Sequence, residues 1–119
     1  MSKAKSNQAS PKRTPKKVMF PNAIDILGMT YTIHSSPCIE KGAWREGQID
    51  YLKQEILLDN DLSTEKAKST LIHEIIHAIL EEVGIKDENR DGLVQPLAQG
   101  LYMVLRNNPE LTECFLERK

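Results

Sequence analysis

The segment that decides the fold runs from residue 71 to residue 79 and reads Leu71-Ile72-His73-Glu74-Ile75-Ile76-His77-Ala78-Ile79. Its two histidines are four residues apart, so on a helix of about 3.6 residues per turn they project within roughly 40° of each other. Two imidazoles one turn apart on one helix face suit a single tetrahedral zinc ion. Glu74 projects about 100° away from His73, where it can take a proton from water without binding the metal. This H-E-x-x-H pattern predicts a zinc-dependent hydrolase and, among the hydrolases, a peptidase.

The flanking residues predict that this segment is helical. Ser63 is a typical N-cap, Glu65 suits the positive first turn of a helix, and Gly84 is a typical stop at the C′ position. An apolar stripe of the kind that faces a core contains Leu71, Ile72, Ile75, Ile76, Ile79 and Val83. The histidine pair points away from the middle of that stripe. An inert, exposed helix face is the alternative, but two of only three histidines in the chain have this spacing.

A catalytic zinc ion usually has three protein ligands and a water, so a third ligand is expected. Glu81 lies eight residues after His73, or about 12 Å along the helix axis. One ion with bonds of about 2 Å cannot bridge that distance, and Glu82 is excluded for the same reason. The ligand is therefore expected on another element. This reasoning leaves Asp87, Glu88 and Asp91 downstream and His34 upstream.

Composition predicts one small domain preceded by a tail. The 119 residues are 39% hydrophobic, which suits a modest core. Six of the 16 basic residues and none of the 17 acidic residues fall within residues 1–17, in a stretch nearly free of large apolar side chains. We expect residues 1–20 to form a disordered basic tail and residues 21–119 to form the domain. Nucleic-acid contact through the tail is an alternative to a plain solubilising extension.

The location is expected to be the cytoplasm, which is the host cytoplasm if the chain is phage-encoded. No secretory h-region follows the N-terminal lysines, and no apolar run reaches the roughly 20 residues of a membrane span. No contact with a membrane is therefore expected. Cys38 and Cys114 are far apart in the sequence and lack C-x-x-C spacing. They are expected to be free thiols in a reducing compartment.

The rest of the chain predicts an α+β fold. Residues 23–27 and 29–34 read as strands on either side of a turn at Gly28. Residues 37–48 read as a loop or a short strand with turns, and residues 49–58 as the next strand. Two more helices are expected at residues 93–106 and 109–117, the second beginning Asn108-Pro109. The predicted domain is a small antiparallel sheet packed against the active-site helix and one or two further helices.

Three segments carry a family resemblance: Thr70-Leu71-Ile72-His73-Glu74-Ile75-Ile76-His77-Ala78-Ile79, Leu97-Ala98-Gln99-Gly100-Leu101-Tyr102 and Asn108-Pro109-Glu110-Leu111. Together with Leu62-Ser63 they resemble small phage and prophage proteins of the ImmA/IrrE-like group of metallo-endopeptidases. The resemblance covers about residues 28–111. Many zinc peptidases share the first segment, and the other two make the match narrower. It implies a zincin-like core in which a strand runs beside the active-site helix and a third ligand lies at the start of the next helix.

The resemblance also implies which residue is the third ligand. That group typically has a glutamate seven residues before the alanine of the later helix, and counting back from Ala98 gives Asp91. Asp91 also heads the predicted inward stripe of Val94, Ala98, Leu101 and Leu105. Two features depart from the pattern: aspartate is one methylene shorter than glutamate, and Pro96 would clash with the carbonyl of Gly92 in a regular helix. The helix is therefore expected to start late or to kink, and a helix cap is the alternative role for Asp91.

These observations predict a zinc endopeptidase in which His73, His77 and Asp91 bind Zn²⁺ and Glu74 is the general base. A protein or peptide substrate is expected to pair with the strand near residues 51–58, and Tyr102 is a candidate to assist the oxyanion. The resemblance implies regulatory cleavage, such as that of a repressor. The alternatives are a non-catalytic, zinc-stabilised phage protein that binds a host or phage protein, and a nucleic-acid-associated protein that acts through its tail.

Overall fold

The computed structural model describes residues 20–37, 39–40, 43–85 and 90–116, and of residues 39, 40, 43, 44 and 91 it describes the backbone alone. The strands are β1 (Ala23–Ile26), β2 (Met29–Ser35), β3 (Ile39–Glu40), β4 (Ala43–Trp44), β5 (Gly47–Asp50) and β6 (Glu55–Leu58). The helices are α1 (Thr64–Glu82), α2 (Arg90–Asn107) and α3 (Pro109–Leu116). Residues 1–19 of the predicted tail and the alternative ligands Asp87 and Glu88 lie outside the described residues.

A two-residue turn joins β1 to β2, as predicted. Leu27 and Gly28 have φ angles of 53° and 89°, and a type I′ turn requires positive φ at both central residues. The backbone N–H of Gly28 donates to Oδ1 of Asp25 at 2.8 Å, which holds the turn closed. Ile26 and Met29 are the first cross-strand pair. The hairpin therefore places the hydrophobic residues of both strands in a fixed register.

The predicted single strand over residues 49–58 is wrong, because the chain reverses within it. β5 ends at Asp50, β6 begins at Glu55, and the two pair antiparallel. The side chain of Asp50 accepts the backbone N–H of Lys53 at 3.0 Å, which is the turn-forming role typical of aspartate. Gln54 completes the reversal with a φ of 56°. The turn thus lacks glycine and proline and depends on Asp50 and on a left-handed glutamine.

The main sheet has the order β1-β2-β6-β5. Its two hairpins are antiparallel, as expected, but β2 and β6 run parallel. The predicted antiparallel sheet is therefore mixed. The small β3-β4 pair lies in the connection that carries the chain from β2 to the far edge. As a result β6 is an inner strand, and β5 and β1 are the two outer strands.

The core lies between one face of this sheet and α1, which packs against β1, β5 and β6. Its buried residues are Ile26, Tyr31, Ile56, Leu58, Leu71 and Ala78, and Phe20 packs against them. Tyr31 is fully buried, and its hydroxyl donates to Oε2 of Glu82 at 2.8 Å. Burial, followed by this hydrogen bond and the charge of Glu82, raises the pKa of Tyr31. Sheet and helix are thereby joined at the C-terminal end of α1.

Both predicted ends of α1 are confirmed. The Oγ atom of Ser63 accepts the backbone N–H of Lys66 at 3.1 Å, so Ser63 is the N-cap. Gly84 has a φ of 84°, the left-handed conformation that typically ends a helix. Its N–H donates to the carbonyl of Glu81 at 3.1 Å. The H-E-x-x-H segment therefore lies in the interior of a well-capped helix of 19 residues.

α2 runs antiparallel to α1. Ion pairs join its first residue, Arg90, to Glu81 at 3.2 Å and its penultimate residue, Arg106, to Glu65 at 3.4 Å. The helix was expected to start late or to kink, and the late start is wrong, because α2 begins at Arg90 and contains Pro96 in its interior. A proline has no backbone N–H, so the carbonyl of Gly92 receives no helical hydrogen bond there.

The third helix begins at Pro109, as predicted. The side-chain amide of Asn108 donates to the carbonyl of Val104 at 2.9 Å and so closes the end of α2. No described residue of α3 is buried. In the part of the chain that the structure describes, no helix has the length and apolar character needed to cross a membrane. A mixed four-stranded sheet with three helices is an α+β fold, which confirms the predicted class.

Candidate metal centre

The two histidines of α1 lie side by side on one helix face. The ring centroids of His73 and His77 are 4.9 Å apart, with 58° between the ring planes. Both side chains are half-buried, which differs from the exposed positions of an inert helix face. Two nitrogen ligands of one tetrahedral zinc ion lie about 3.3 Å apart, since each bond is about 2.0 Å long. Rings at this separation can present nitrogen atoms at that distance.

Glu74 lies between α1 and the outer strand β5 of the sheet. It is only 6% exposed. A Cβ atom added to Gly47 of β5 would lie 3.1 Å from Oε2 of Glu74 and 2.7 Å from Cγ2 of Thr70. Only glycine therefore lets the backbone of β5 approach the carboxylate this closely. The sequence prediction missed this role of Gly47, which it placed in a loop or a short strand with turns.

Two adjoining cavities open beside the motif and share Arg45, Gly47, His73 and Glu74. The first, which we call the histidine cavity, has a volume of about 270 Å³ and is also lined by Gln48, Ile49, Tyr51 and His77. The second, which we call the helix cavity, has a volume of about 370 Å³ and is also lined by Glu46, Lys66, Ser69, Thr70 and Gln95. The motif thus lines a cleft bounded by α1, β5 and α2.

Tyr51 and Arg90 form a pair at the edge of the histidine cavity. Nη1 of Arg90 donates to the hydroxyl oxygen of Tyr51 at 3.2 Å. Nη2 of Arg90 pairs with Oε1 of Glu81 at 3.2 Å and donates to the carbonyl of Ile85. Burial raises the pKa of Tyr51, and the nearby charges of Glu74 and Glu81 raise it further, while Arg90 opposes them. Sequence reasoning missed both residues, because they are 39 positions apart.

His34 lies on the face of the sheet away from α1, so it is not placed to be the third ligand. It follows Ile33 on β2, and Tyr31 and Ile33 face the core next to α1. Because side chains alternate along a strand, His34 projects from the opposite face of the sheet, where its Nε2 is 3.0 Å from Oγ1 of Thr32. In the described part of the chain, no group of three histidine, cysteine, aspartate or glutamate side chains is placed to hold a metal.

The register of α2 against α1 indicates where position 91 lies. Gln99 lines a cavity with Lys66 and Ser69, and one turn earlier Gln95 lines the helix cavity with Ser69 and His73. The two helices are antiparallel, so a residue one turn earlier in α2 lies beside a residue about one turn later in α1. One further turn back from Gln95, position 91 comes beside the segment that contains His73 and His77. The side chain of Asp91 lies outside the described residues, so its role as a ligand stays a prediction.

Two other features of the predicted site differ in the structure. The strand expected to pair with a substrate, residues 51–58, includes β6, which already has β2 and β5 as neighbours. β5 is an outer strand instead. Tyr102, the candidate to assist the oxyanion, lines a different cavity with Ser63, Gln99 and Met103 among others. No described residue of the H-E-x-x-H motif lines that cavity.

No family model, no curated protein and no solved structure matches the chain. The resemblance to the ImmA/IrrE-like group therefore stays a prediction that rests on the segments at residues 62–63, 70–79, 97–102 and 108–111. A proposal for the function depends on the chemistry of the cleft itself.

Proposed function

We propose that this protein is a zinc-dependent endopeptidase. The observation that carries the proposal is the arrangement of the motif residues: His73 and His77 lie side by side at a cleft in which Glu74 is buried against the outer strand β5. A carboxylate next to two imidazoles of one helix face is positioned to act as a general base beside a metal.

His73, His77 and Asp91 would hold the metal. Two imidazoles and one carboxylate are a ligand set of catalytic zinc sites, which keep a further position open. The half-buried positions of the histidines and the path of α2 past His73 are consistent with this set. When bound, zinc lowers the pKa of water to about 7 and polarises the carbonyl of a peptide bond.

Glu74 acts as the general base. Its carboxylate takes the proton of the attacking water and passes it to the leaving amine. The position against β5 keeps the carboxylate beside a peptide that follows this strand. Such a group contributes about 10²-fold to 10⁴-fold to the rate of a reaction.

The substrate would lie along β5. This strand pairs with β6 on one side, and among the described strands none pairs with its other side. An extended peptide can add to such an edge through main-chain hydrogen bonds. Gly47 brings this edge close to Glu74, so the peptide backbone and the base share one cleft. Recognition through the main chain suits an endopeptidase that acts on protein segments.

The biological setting is proposed from the resemblance. A small phage or prophage peptidase would work in the cytoplasm of the host and make a regulatory cut, for example in a repressor. Cys114, a free and exposed thiol, fits a reducing compartment. Cys38 lies outside the described residues.

The test is a comparison of Glu74→Gln with Glu65→Gln on a library of peptides derived from a proteome, read by mass spectrometry. Glu65 is an exposed residue of the same helix that pairs with Arg106, so it is the matched control. We expect Glu74→Gln to lower cleavage by at least about 10² at unchanged zinc content, and Glu65→Gln to cleave like the wild type. Cleavage by Glu74→Gln at the wild-type rate would contradict the proposal.

A second candidate is a non-catalytic protein that keeps zinc for stability and binds a host or phage protein. One observation favours it: a face of α2 exposes large apolar side chains on successive turns, namely Leu93, Leu97, Leu101 and Val104. Surfaces of this kind often bind proteins. In that case Glu74→Gln leaves the function unchanged, and a chelator unfolds the domain.

A further inference from the structure

Tyr51 is the first residue after β5 and lines the histidine cavity together with the motif residues. Among the described residues that line this cavity, only Tyr51 has a hydroxyl group. The cavity therefore has one phenol that can donate a hydrogen bond to a bound substrate.

Arg90 fixes the direction of that hydroxyl group. A guanidinium group contains only donors, so the bond of 3.2 Å from Nη1 of Arg90 uses a lone pair of the Tyr51 oxygen. The hydroxyl proton is left to donate in another direction. Glu81 and the carbonyl of Ile85 hold the other end of the guanidinium group. The side chain of Arg90 is only 12% exposed, which limits its freedom to move.

The hydroxyl group of Tyr51 also keeps its proton at neutral pH. Burial raises the pKa of Tyr51, and Glu74 and Glu81 add to this increase against the effect of Arg90. Tyr51 and Glu74 line the same cavity, so the phenol lies near the general base. A neutral phenol near that base is a donor rather than a competing anion.

We propose that Tyr51 is a further catalytic residue whose hydroxyl group donates a hydrogen bond to the oxygen of the scissile carbonyl, with Arg90 as its positioning residue. The inference rests on the proposed peptidase function. As water adds, a bond forms between its oxygen and the carbonyl carbon, its proton goes to Glu74, and the π electron pair moves onto the carbonyl oxygen. A donor aimed at this developing negative charge stabilises the transition state.

The position of Tyr51 in the chain supports this role. A peptide that pairs with β5 passes the last residue of the strand and reaches Tyr51, while Gly47 at the other end adjoins Glu74. The base and the donor are therefore both next to the path of the substrate.

The experiment compares Tyr51→Phe with Tyr31→Phe in the zinc-loaded, full-length protein. Tyr31→Phe is a matched control, because its hydroxyl also bonds a charged side chain, Glu82, but lies in the core. The readouts are kcat and KM on a peptide selected from the library, zinc content, and the affinity for the phosphinic analogue of that peptide. This analogue has a tetrahedral phosphorus with two oxygens in place of the scissile carbonyl carbon, so its affinity reports transition-state binding without turnover.

We expect Tyr51→Phe to lower kcat by about 10² and to weaken the phosphinic analogue by a similar factor, with KM and zinc content unchanged. Tyr31→Phe should be less stable but equal to the wild type in all these readouts. A wild-type kcat in Tyr51→Phe, or an equal loss in both variants, would overturn the role of Tyr51 and leave the peptidase proposal standing. A zinc-loaded wild type that cleaves no peptide in the library would contradict the proposed function, and the role of Tyr51 with it.

Discussion

Gly47 of β5 and Glu74 of α1 are so close that no side chain fits between them. A Cβ atom at position 47 would lie 3.1 Å from Oε2 of Glu74 and 2.7 Å from Cγ2 of Thr70. This outer strand of the sheet is thereby held against the carboxylate of the H-E-x-x-H motif. This contact joins the element that would bind a peptide to the group that would activate water.

Gly47→Ala is expected to push β5 away from α1. Overpacking of this kind typically costs about 1–3 kcal/mol of stability, and the displaced strand should lower kcat/KM by about tenfold or more. Thermal unfolding and peptide cleavage measure the two effects. Gly100→Ala is the control, since a Cβ at this position of α2 meets nothing within 4 Å, and it should stabilise the protein by up to about 1 kcal/mol. A Gly47→Ala protein with wild-type stability and activity would show that the contact is unimportant.

Tyr31 is expected to make the protein less stable at high pH. Its ordinary pKa is 10.0, and burial with the hydrogen bond to Glu82 raises the pKa in the folded state. Above about pH 10 the unfolded chain releases this proton while the folded protein keeps it. The contribution of Tyr31 to the free energy of unfolding is therefore fully present below about pH 10. It falls as the pH rises above that value, with a limiting slope of about 1.4 kcal/mol per pH unit.

Urea unfolding of the wild type and Tyr31→Phe from about pH 8 to about pH 11 tests this. The variant should be less stable at pH 8, because the hydrogen bond is lost. It should also lose less stability as the pH rises, with Tyr51 accounting for part of the remaining decrease. Parallel curves for the two proteins would mean that Tyr31 does not hold its proton in the folded state.

Leu27→Asn is expected to stabilise the β1-β2 hairpin. Leu27 has a φ of 53° and is 61% exposed, so it adopts a left-handed conformation and packs little in return. Asn-Gly is the preferred pair in a type I′ turn, and the relief of backbone strain should add roughly 1 kcal/mol. Leu52→Asn is the control, because Leu52 is a 95% exposed turn residue without positive φ. An unfolding temperature that rises equally in both variants would assign the effect to lower surface hydrophobicity.

Local chemistry made much of the fold predictable. Ser63 and Gly84 mark the ends of α1, and Gly28 marks the first hairpin, because capping and positive φ depend on the residues themselves. The second hairpin was not predictable in this way. Its turn at residues 51–54 has no glycine or proline, and Asp50 and Gln54 adopt their turn roles only within the sheet.

The features that could not be predicted depend on contacts between residues far apart in the sequence. The parallel alignment of β2 with β6 depends on where the chain returns after residue 36, and no local pattern specifies it. In the site, helical periodicity predicted the histidine pair, since His73 and His77 are one turn apart. Tyr51 and Arg90 share no periodic relation, and they meet only because α2 and β5 both pack against α1.

The metal content of the purified protein tests whether His73, His77 and Asp91 bind zinc, and mass spectrometry of the wild type, His73→Ala, Asp91→Ala and His34→Ala measures it. His34→Ala is the control, because His34 lies on the opposite face of the sheet. We expect about one zinc ion per chain in the wild type and in His34→Ala, none in His73→Ala, and weaker binding in Asp91→Ala. A folded wild type that takes up no zinc when zinc is supplied would contradict the account and leave His73 and His77 as ordinary residues of a helix face.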